Sequence, residues 1–211
     1  MQEKNPHSIK KKSMEIIDEK IDKLDCTADQ SKTIKRVVHA TAEPKLAEKV
    51  KFSPQAIETA QKLIAAGADI ITDVTMLKAG INKRKLKKFG GQIKCFIGDE
   101  DVREKAETRG LTRSIMSMRK AVNLENKKIF AIGNAPTALF ELIRLKEEDD
   151  EKVDFIVGTP VGFVGAAESK EELMRTDIPH ISLAGKKGGS AVAVSIINSI
   201  LYMMDDREKQ S

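Results

Sequence analysis

His39, Arg36, Asp73, Arg113 and Lys186 are residue types that could run acid–base chemistry on a bound anion. His39 closes an apolar run, Thr33-Ile34-Lys35-Arg36-Val37-Val38-His39-Ala40, and follows Arg36 by three residues. A histidine takes and gives protons near neutral pH, and the arginine at this spacing can hold an anionic group or disfavour the imidazolium. A packed or surface histidine is the competing reading. The other two histidines invite less: His7 lies near the start of the chain and His180 follows Pro179 at a strand start. Structural roles are expected for both.

Around these stand loops able to receive an acidic ligand. Gly185-Lys186-Lys187-Gly188-Gly189-Ser190 precedes the last helical pattern. Its glycines, Gly188 and Gly189 among them, let the backbone approach a ligand, the helix start offers free N–H groups, and two lysines add charge. A plain helix-entry turn competes with this reading. Gly110-Leu111-Thr112-Arg113-Ser114 places Arg113 beside a threonine cap, where a carboxylate would meet both a cation and a helix dipole; a surface arginine is the alternative. Asp73, after Ile70-Ile71-Thr72, either caps a helix, orients His39 or holds a ligand N–H.

Several chemistries are excluded. The lysine loop lacks the Lys-Ser or Lys-Thr pair of a P-loop. Gly158-Thr159-Pro160-Val161-Gly162-Phe163-Val164-Gly165 is not the dinucleotide fingerprint, and Pro160 stiffens the turn that motif needs, so this segment reads as an apolar wall for a large flat ligand. No Ser-His-Asp set can be assigned, and no histidine pair has metal-ligand spacing, so no metal is expected. Cys26 and Cys95 are too few for a disulfide framework, which points to a reducing, cytoplasmic setting. No signal-like or membrane-length apolar run occurs, and a soluble protein is expected. A net charge of +5 favours an acidic partner. The run Lys83-Arg84-Lys85-Leu86-Lys87-Lys88 is the best argument for nucleic acid, but it lacks interleaved aromatics and reads as a solvated helix face.

The elements that must position these residues alternate. Residues 6–24 read as an amphipathic helix. Strands are expected over 34–39, 68–72, 92–97, 128–132, 153–157 and 178–183, and a short helix from Pro44. A serine-capped helix is expected to start at Ser53-Pro54 and close at Gly67, and a buried helix over 190–204 ends the fold. The acidic tract 147–151 reads as an exposed turn. With 40% hydrophobic and 4% aromatic residues, the core is aliphatic. One α/β domain over residues 1–211 is expected: a three-layer α/β/α sandwich with a mainly parallel sheet, its strand ends gathered along one ligand-binding edge.

Six segments in register carry a family resemblance: Arg36 to Ala40, Thr72-Asp73-Val74-Thr75-Met76, Gly110 to Ser114, Gly133-Asn134-Ala135-Pro136-Thr137-Ala138-Leu139, residues 160–170, and Gly185 to Ser190. Together they resemble the precorrin-8 methylmutases, or precorrin isomerases, from Pro6 to about Tyr202. The resemblance implies an isomerase of cobalamin biosynthesis that moves a methyl group between adjacent ring carbons of precorrin-8 or cobalt-precorrin-8, giving hydrogenobyrinate or cobyrinate. It implies His39 as the proton donor and acceptor. Ser13, Arg36, Asp73, Arg113, Lys186, Gly188 and Gly189 stand at positions expected to meet the substrate. No cofactor is implied, since any cobalt travels with the tetrapyrrole substrate, and the short, lysine-rich form favours the cobalt-containing one. The partner is then a polycarboxylate ring, with neither nucleic acid nor membrane. A homodimer with sites near the subunit contact is implied, as is hand-off to neighbouring pathway enzymes. Lys186 and Lys187 stand where relatives are arginine-rich, which exchanges bidentate grips for point charges. A noncatalytic corrinoid carrier is the alternative.

Overall fold

The parallel strands run nearly without polar interruption because helices cover both faces of the sheet. A computed structural model describes residues 5–21 and 24–208. In chain order it contains α1 (Pro6–Ile21), α2 (Ala28–Thr41), a 3-10 helix (Pro44–Lys49), β1 (Val50–Phe52), α3 (Ala56–Ala65), β2 (Asp69–Thr72), α4 (Thr75–Gly80) and α5 (Lys83–Lys88). There follow β3 (Ile93–Lys94), α6 (Glu100–Arg109), α7 (Arg113–Val122), β4 (Lys128–Ile132), α8 (Pro136–Glu147), β5 (Phe155–Gly158), α9 (Ala166–Leu173), β6 (His180–Leu183) and α10 (Ser190–Glu208). The six strands lie in the order β1-β6-β5-β4-β2-β3. All pairs are parallel except β1 with β6. This is the three-layer architecture that the alternating pattern predicts.

The period-2 geometry of a strand divides the core. Ile129 and Ala131 of β4 face a layer made by α1–α5 and α10, with Val37, Ile64, Leu77 and Ile197 among its members. Phe130 and Ile132 face the other side, against Met118 of α7 and Leu139 and Leu142 of α8. Strands β2 and β4 are neighbours, yet the chain leaves β2 toward β3 and leaves β4 toward β5 on the opposite side. The crevice outside their carboxyl ends is therefore the topological switch point, where open α/β sheets bind ligands.

Three expectations are corrected. Residues 34–39 are not a strand but the second half of α2. Ile34, Val37 and Val38 are buried at i, i+3 and i+4, which is helical spacing, and a capping box starts the helix. Gln30 N–H donates to the Thr27 hydroxyl, and Thr27 N–H donates to Gln30 Oε1 at 3.0 Å. Ser53 does not cap a helix. Its Oγ accepts the His180 N–H at 2.8 Å, and α3 begins instead after Gln55, at φ 53°. Residues 50–52, assigned to no element from sequence, form β1, which pairs antiparallel with β6 through Val50 and Leu183, Lys51 and Ser182, and Phe52 and Ile181.

One glycine fixes how α10 meets the sheet. A Cβ at Gly133, just past β4, would lie 2.7 Å from Ser190 Cα and 2.9 Å from Ser190 N. Only a residue without a side chain lets the start of α10 come this close, and backbone cannot swing away as a side chain can. Gly133→Ala is expected to lose about 1–3 kcal/mol of unfolding free energy in a urea titration, the usual cost of overpacking. An unchanged urea midpoint would show that α10 moves off the sheet freely.

Candidate functional site

The carboxyl ends of β2, β4, β5 and β6 lie along one edge of the sheet, as the parallel pairing requires. At the β2–β4 crevice Asp73 is fully buried. Its carboxylate accepts N–H donors from Gly133 at 3.2 Å, Asn134 at 2.7 Å and Ala135 at 2.8 Å. Burial pushes its pKa up, and the three backbone donors pull against that shift. Asp73 therefore caps neither α4, which follows it in the chain, nor α8; its carboxylate holds the turn Gly133-Asn134-Ala135 that leads into α8. It lies behind the crevice and shapes it, with Asn134, Thr75 and Met76 exposed in front.

Beside the crevice runs the lysine loop that leads into α10. Gly189 N–H donates to Thr159 O at 2.8 Å, and Gly162 N–H donates to Lys186 O at 3.3 Å, so the loops after β5 and β6 are stitched together. A Cβ at Gly188 would fall 2.3 Å from Thr159 O, so this approach requires glycine. The Lys186 side chain is exposed, while Lys187 Nζ reaches the Glu43 carboxylate at 2.5 Å. That ion pair spans from the sheet edge to the segment just after α2. Exposed apolar side chains follow the strands along this edge: Phe163 is 90% exposed and Val164 88% after β5, and Met76 74% after β2.

His39 sits in the last turn of α2, exposed, on the wall of a cavity of about 270 Å³. Ser13, Ile16, Ile17 and Lys20 of α1 form the facing wall, with Val38, Ala42 and Pro44 completing it. The spacing 13, 16, 17, 20 is a single helical stripe, which explains how Ser13 and Lys20 come to face His39 together. Ser13 Oγ donates to Ile9 O at 2.9 Å.

The structure brings His39 and Ser13 into one cavity and links the lysine loop to the end of α2 through Glu43. Arg36 goes elsewhere. Its guanidinium stacks over the Tyr202 ring at 4.8 Å, in a separate cleft with Met14 and Ser199. Arg113 is exposed at the start of α7, where the Thr112 cap accepts Ile115 N–H and its hydroxyl meets Thr137 at 3.3 Å, at the start of α8. It therefore flanks the same sheet edge from the opposite helical layer. His180 is buried and structural, with Nδ1 2.7 Å from Ile178 O; burial lowers its pKa. The side chain of His7 lies outside the described part of the chain. The basic run forms α5, where Lys85 and Lys88 both pair with the buried Asp205 of α10, so two of its five cations are used inside the fold. Among the described residues no three His, Cys, Asp or Glu side chains gather in a way that could hold a metal, and no helix is long and apolar enough to cross a membrane.

Sequence reading missed Lys20, Glu43 and Lys170. The signal for Lys170 was available: with Ala166, Ser169 and Leu173 it lies on the buried stripe of α9. Lys170 is 0% exposed and its Nζ donates to Lys187 O at 2.6 Å. Burial and the nearby Lys49 charge push its pKa down from 10.5 to about 8.

Two outcomes follow for stability. Asp73→Asn puts an amide donor against backbone N–H groups and is expected to cost about 1–3 kcal/mol, read from urea unfolding. For Lys170 the folded pKa lies below the unfolded one, so the unfolded chain holds the proton more tightly. The cost of burying the cation is full below about pH 8 and gone above 10.5. The stability of the native chain relative to Lys170→Met should therefore rise across that window. A difference that stays flat with pH would contradict a buried, charged Lys170.

Residues 8–203 match the family model described as "CbiC: Precorrin-8X methylmutase". The chain is 45% identical over 200 residues to the cobalt-precorrin-8 methylmutase of Priestia megaterium, covering 95% of this chain and 89% of that one. It is 44% identical to the protein of the same name from Methanocaldococcus jannaschii, covering 94% and 90%. Among solved structures, a precorrin-8X methylmutase related protein superposes with a TM-score of 0.83 at 33% identity, covering 90% of this chain and 99% of the other. The precorrin-8x methyl mutase of Thermus thermophilus also gives 0.83, at 28% identity, covering 95% and 98%.

Proposed function

Because the chain belongs to the precorrin-8X methylmutase family and is an isomerase of cobalamin biosynthesis, we propose that it moves a methyl group between adjacent ring carbons of cobalt-precorrin-8 to give cobyrinate, with His39 giving and recovering the proton. The observation that supports this most directly is the placement of His39: an exposed histidine on a cavity wall, across from Ser13 and Lys20, on a helix end tied to the lysine loop through Glu43 and Lys187. The choice of the cobalt-containing substrate is supported by the names of the relatives in Priestia megaterium and Methanocaldococcus jannaschii.

Protonation by His39 makes the conjugated ring more electron-deficient and lowers the barrier to a sigmatropic shift of the methyl group. The same imidazole then takes a proton back, so substrate and product have equal composition and no cofactor is needed; the cobalt belongs to the substrate. General acid catalysis of this kind typically contributes about 100- to 10,000-fold. The surroundings suit a flat ring edged with carboxylates. Lys20, Lys186 and Arg113 supply positive charge, and Val161, Phe163, Val164 and Met76 supply exposed apolar surface beside it. A cavity of about 270 Å³ is small even for ordinary ligand pockets, which run from about 300 to 1,000 Å³. The macrocycle must therefore extend along the sheet edge, and a second copy of the chain in a homodimer is the partner we propose to cover it.

The test is the absorption spectrum of cobalt-precorrin-8 with time, for the native chain and for His39→Ala. His39→Ala should bind the ring yet lose about 100- to 10,000-fold in kcat. Conversion by both proteins at equal rates would remove His39 from the mechanism. Binding by both without conversion by either would make the protein a corrinoid carrier. Lys186→Ala should raise KM and leave kcat near the native value, since an exposed point charge binds substrate and transition state alike.

A further inference from the structure

Lys170 is a buried cation that the proposed mechanism does not use. It sits on the inner face of α9 with no carboxylate partner among the described residues, and its nearest charge influence is another cation, Lys49. Burying a cation costs free energy, and the hydrogen bond that Lys170 makes is what offsets that cost here. Its partner is the carbonyl of Lys187, at 2.6 Å, in the middle of the loop between β6 and α10.

The consequence follows from peptide geometry. In a trans peptide the carbonyl and the N–H of the next residue point in opposite directions. With the Lys187 carbonyl held inward by Lys170, the Gly188 N–H points outward, and among the described residues no acceptor takes it. The next peptide is fixed the other way, because Gly189 N–H turns inward to Thr159 O at 2.8 Å. Gly188 fits only because it has no Cβ to strike Thr159 O. The loop thus has a defined inner and outer side at this point, and the Gly188 N–H, its direction set by the Lys170 contact, lies on the outer side close in sequence to the exposed Lys186.

We infer that Lys170 is a positioning residue for substrate binding: by holding the Lys187 carbonyl inside the fold, it presents the Gly188 N–H as a fixed donor to a peripheral carboxylate of the ring. This rests on the reading above that the lysine loop meets substrate carboxylates. Lys170 itself touches no substrate. It acts through the backbone, and it spares the exposed Lys186 from having to orient the carboxylate alone, which a single flexible ammonium does poorly.

Lys170→Met keeps the length and apolar body of the side chain and removes its donor. With cobalt-precorrin-8 as substrate, KM should rise about tenfold, the equivalent of about 1.4 kcal/mol, while kcat stays within about threefold of native. In the same variant without substrate, deuterium uptake by the amides of residues 184–190 should quicken while uptake elsewhere is unchanged. Native KM, native uptake in the loop, or a fall in kcat at unchanged KM would each overturn the proposal. If Lys170→Met shows no cooperative thermal transition, Lys170→Gln is read by the same two measurements; if that also fails to fold, Lys170 is a core residue and the proposal falls. Failure of the native chain to convert cobalt-precorrin-8 would remove the reaction and this role together. Conversion by the native chain with no change in Lys170→Met would remove the role alone.

Discussion

The arrangement of the sheet edge depends on one buried carboxylate. Asp73 accepts three successive backbone N–H groups, and so fixes the turn Gly133-Asn134-Ala135 that carries the chain from β4 into α8. The backbone N–H groups of a buried turn have no strand or helix partner, and inside a fold each such group costs free energy unless something accepts it. Here the acceptor comes from just past the end of the neighbouring strand, so the same contact ties the ends of β2 and β4 together at the switch point. Gly133 lies in that turn and is also the residue against which Ser190 rests. The start of α10 is therefore placed by the same turn, and the lysine loop, which ends at Ser190, is placed by α10. From Lys187 the linkage passes through Glu43 to the end of α2 and His39.

The sheet was legible in the sequence because fully buried parallel strands are short unbroken apolar runs with polar or glycine boundaries. Residues 128–132 match β4 at both ends, and the runs at 68–72, 153–157 and 178–183 each contain most of a strand. The run at 34–39 misleads for a physical reason: Ile34, Val37 and Val38 are β-branched, which favours strands, while their spacing is that of a helix face. The decisive sign lay upstream, in Thr27 and Gln30, whose capping box commits the backbone before those residues are reached. β1 was hidden because three residues carry too little pattern, and its existence depends on β6, far along the chain.

The candidate site was legible as a set of residue types and less so as a geometry. His39, Ser13 and the lysine loop were visible as positions; their relation through Glu43 and the stripe 13, 16, 17, 20 needed the packing of α1 on α2. Arg36 shows the limit of linear spacing. Three residues before His39 on a helix, it lies close enough along the axis to act with it, yet its guanidinium is held over Tyr202, on the side of α2 that meets α10. The cation is stacked on the ring and packed against the neighbouring helix, an arrangement worth about 0.5–2 kcal/mol in proteins generally.

Counting charge also gives a different picture once the fold is known. A surplus of five positive charges suggests a surface made to attract anions. Yet Lys85 and Lys88 are committed to Asp205, Lys187 to Glu43, and Lys170 to a backbone carbonyl inside the protein. The exposed cations of the candidate site are sparse: Lys186 in the loop after β6, Arg113 at the start of α7 and Lys20 on α1, beside the His39 cavity. A sparse, spread set of cations suits a rigid ligand whose carboxylates are themselves spread around a ring, because each charge meets one carboxylate and the ring supplies the spacing. A dense patch would instead favour a flexible polyanion such as a nucleic acid, whose binding gains from many adjacent charges. The distribution of the remaining cations, more than their number, is what supports the proposed contact with a tetrapyrrole.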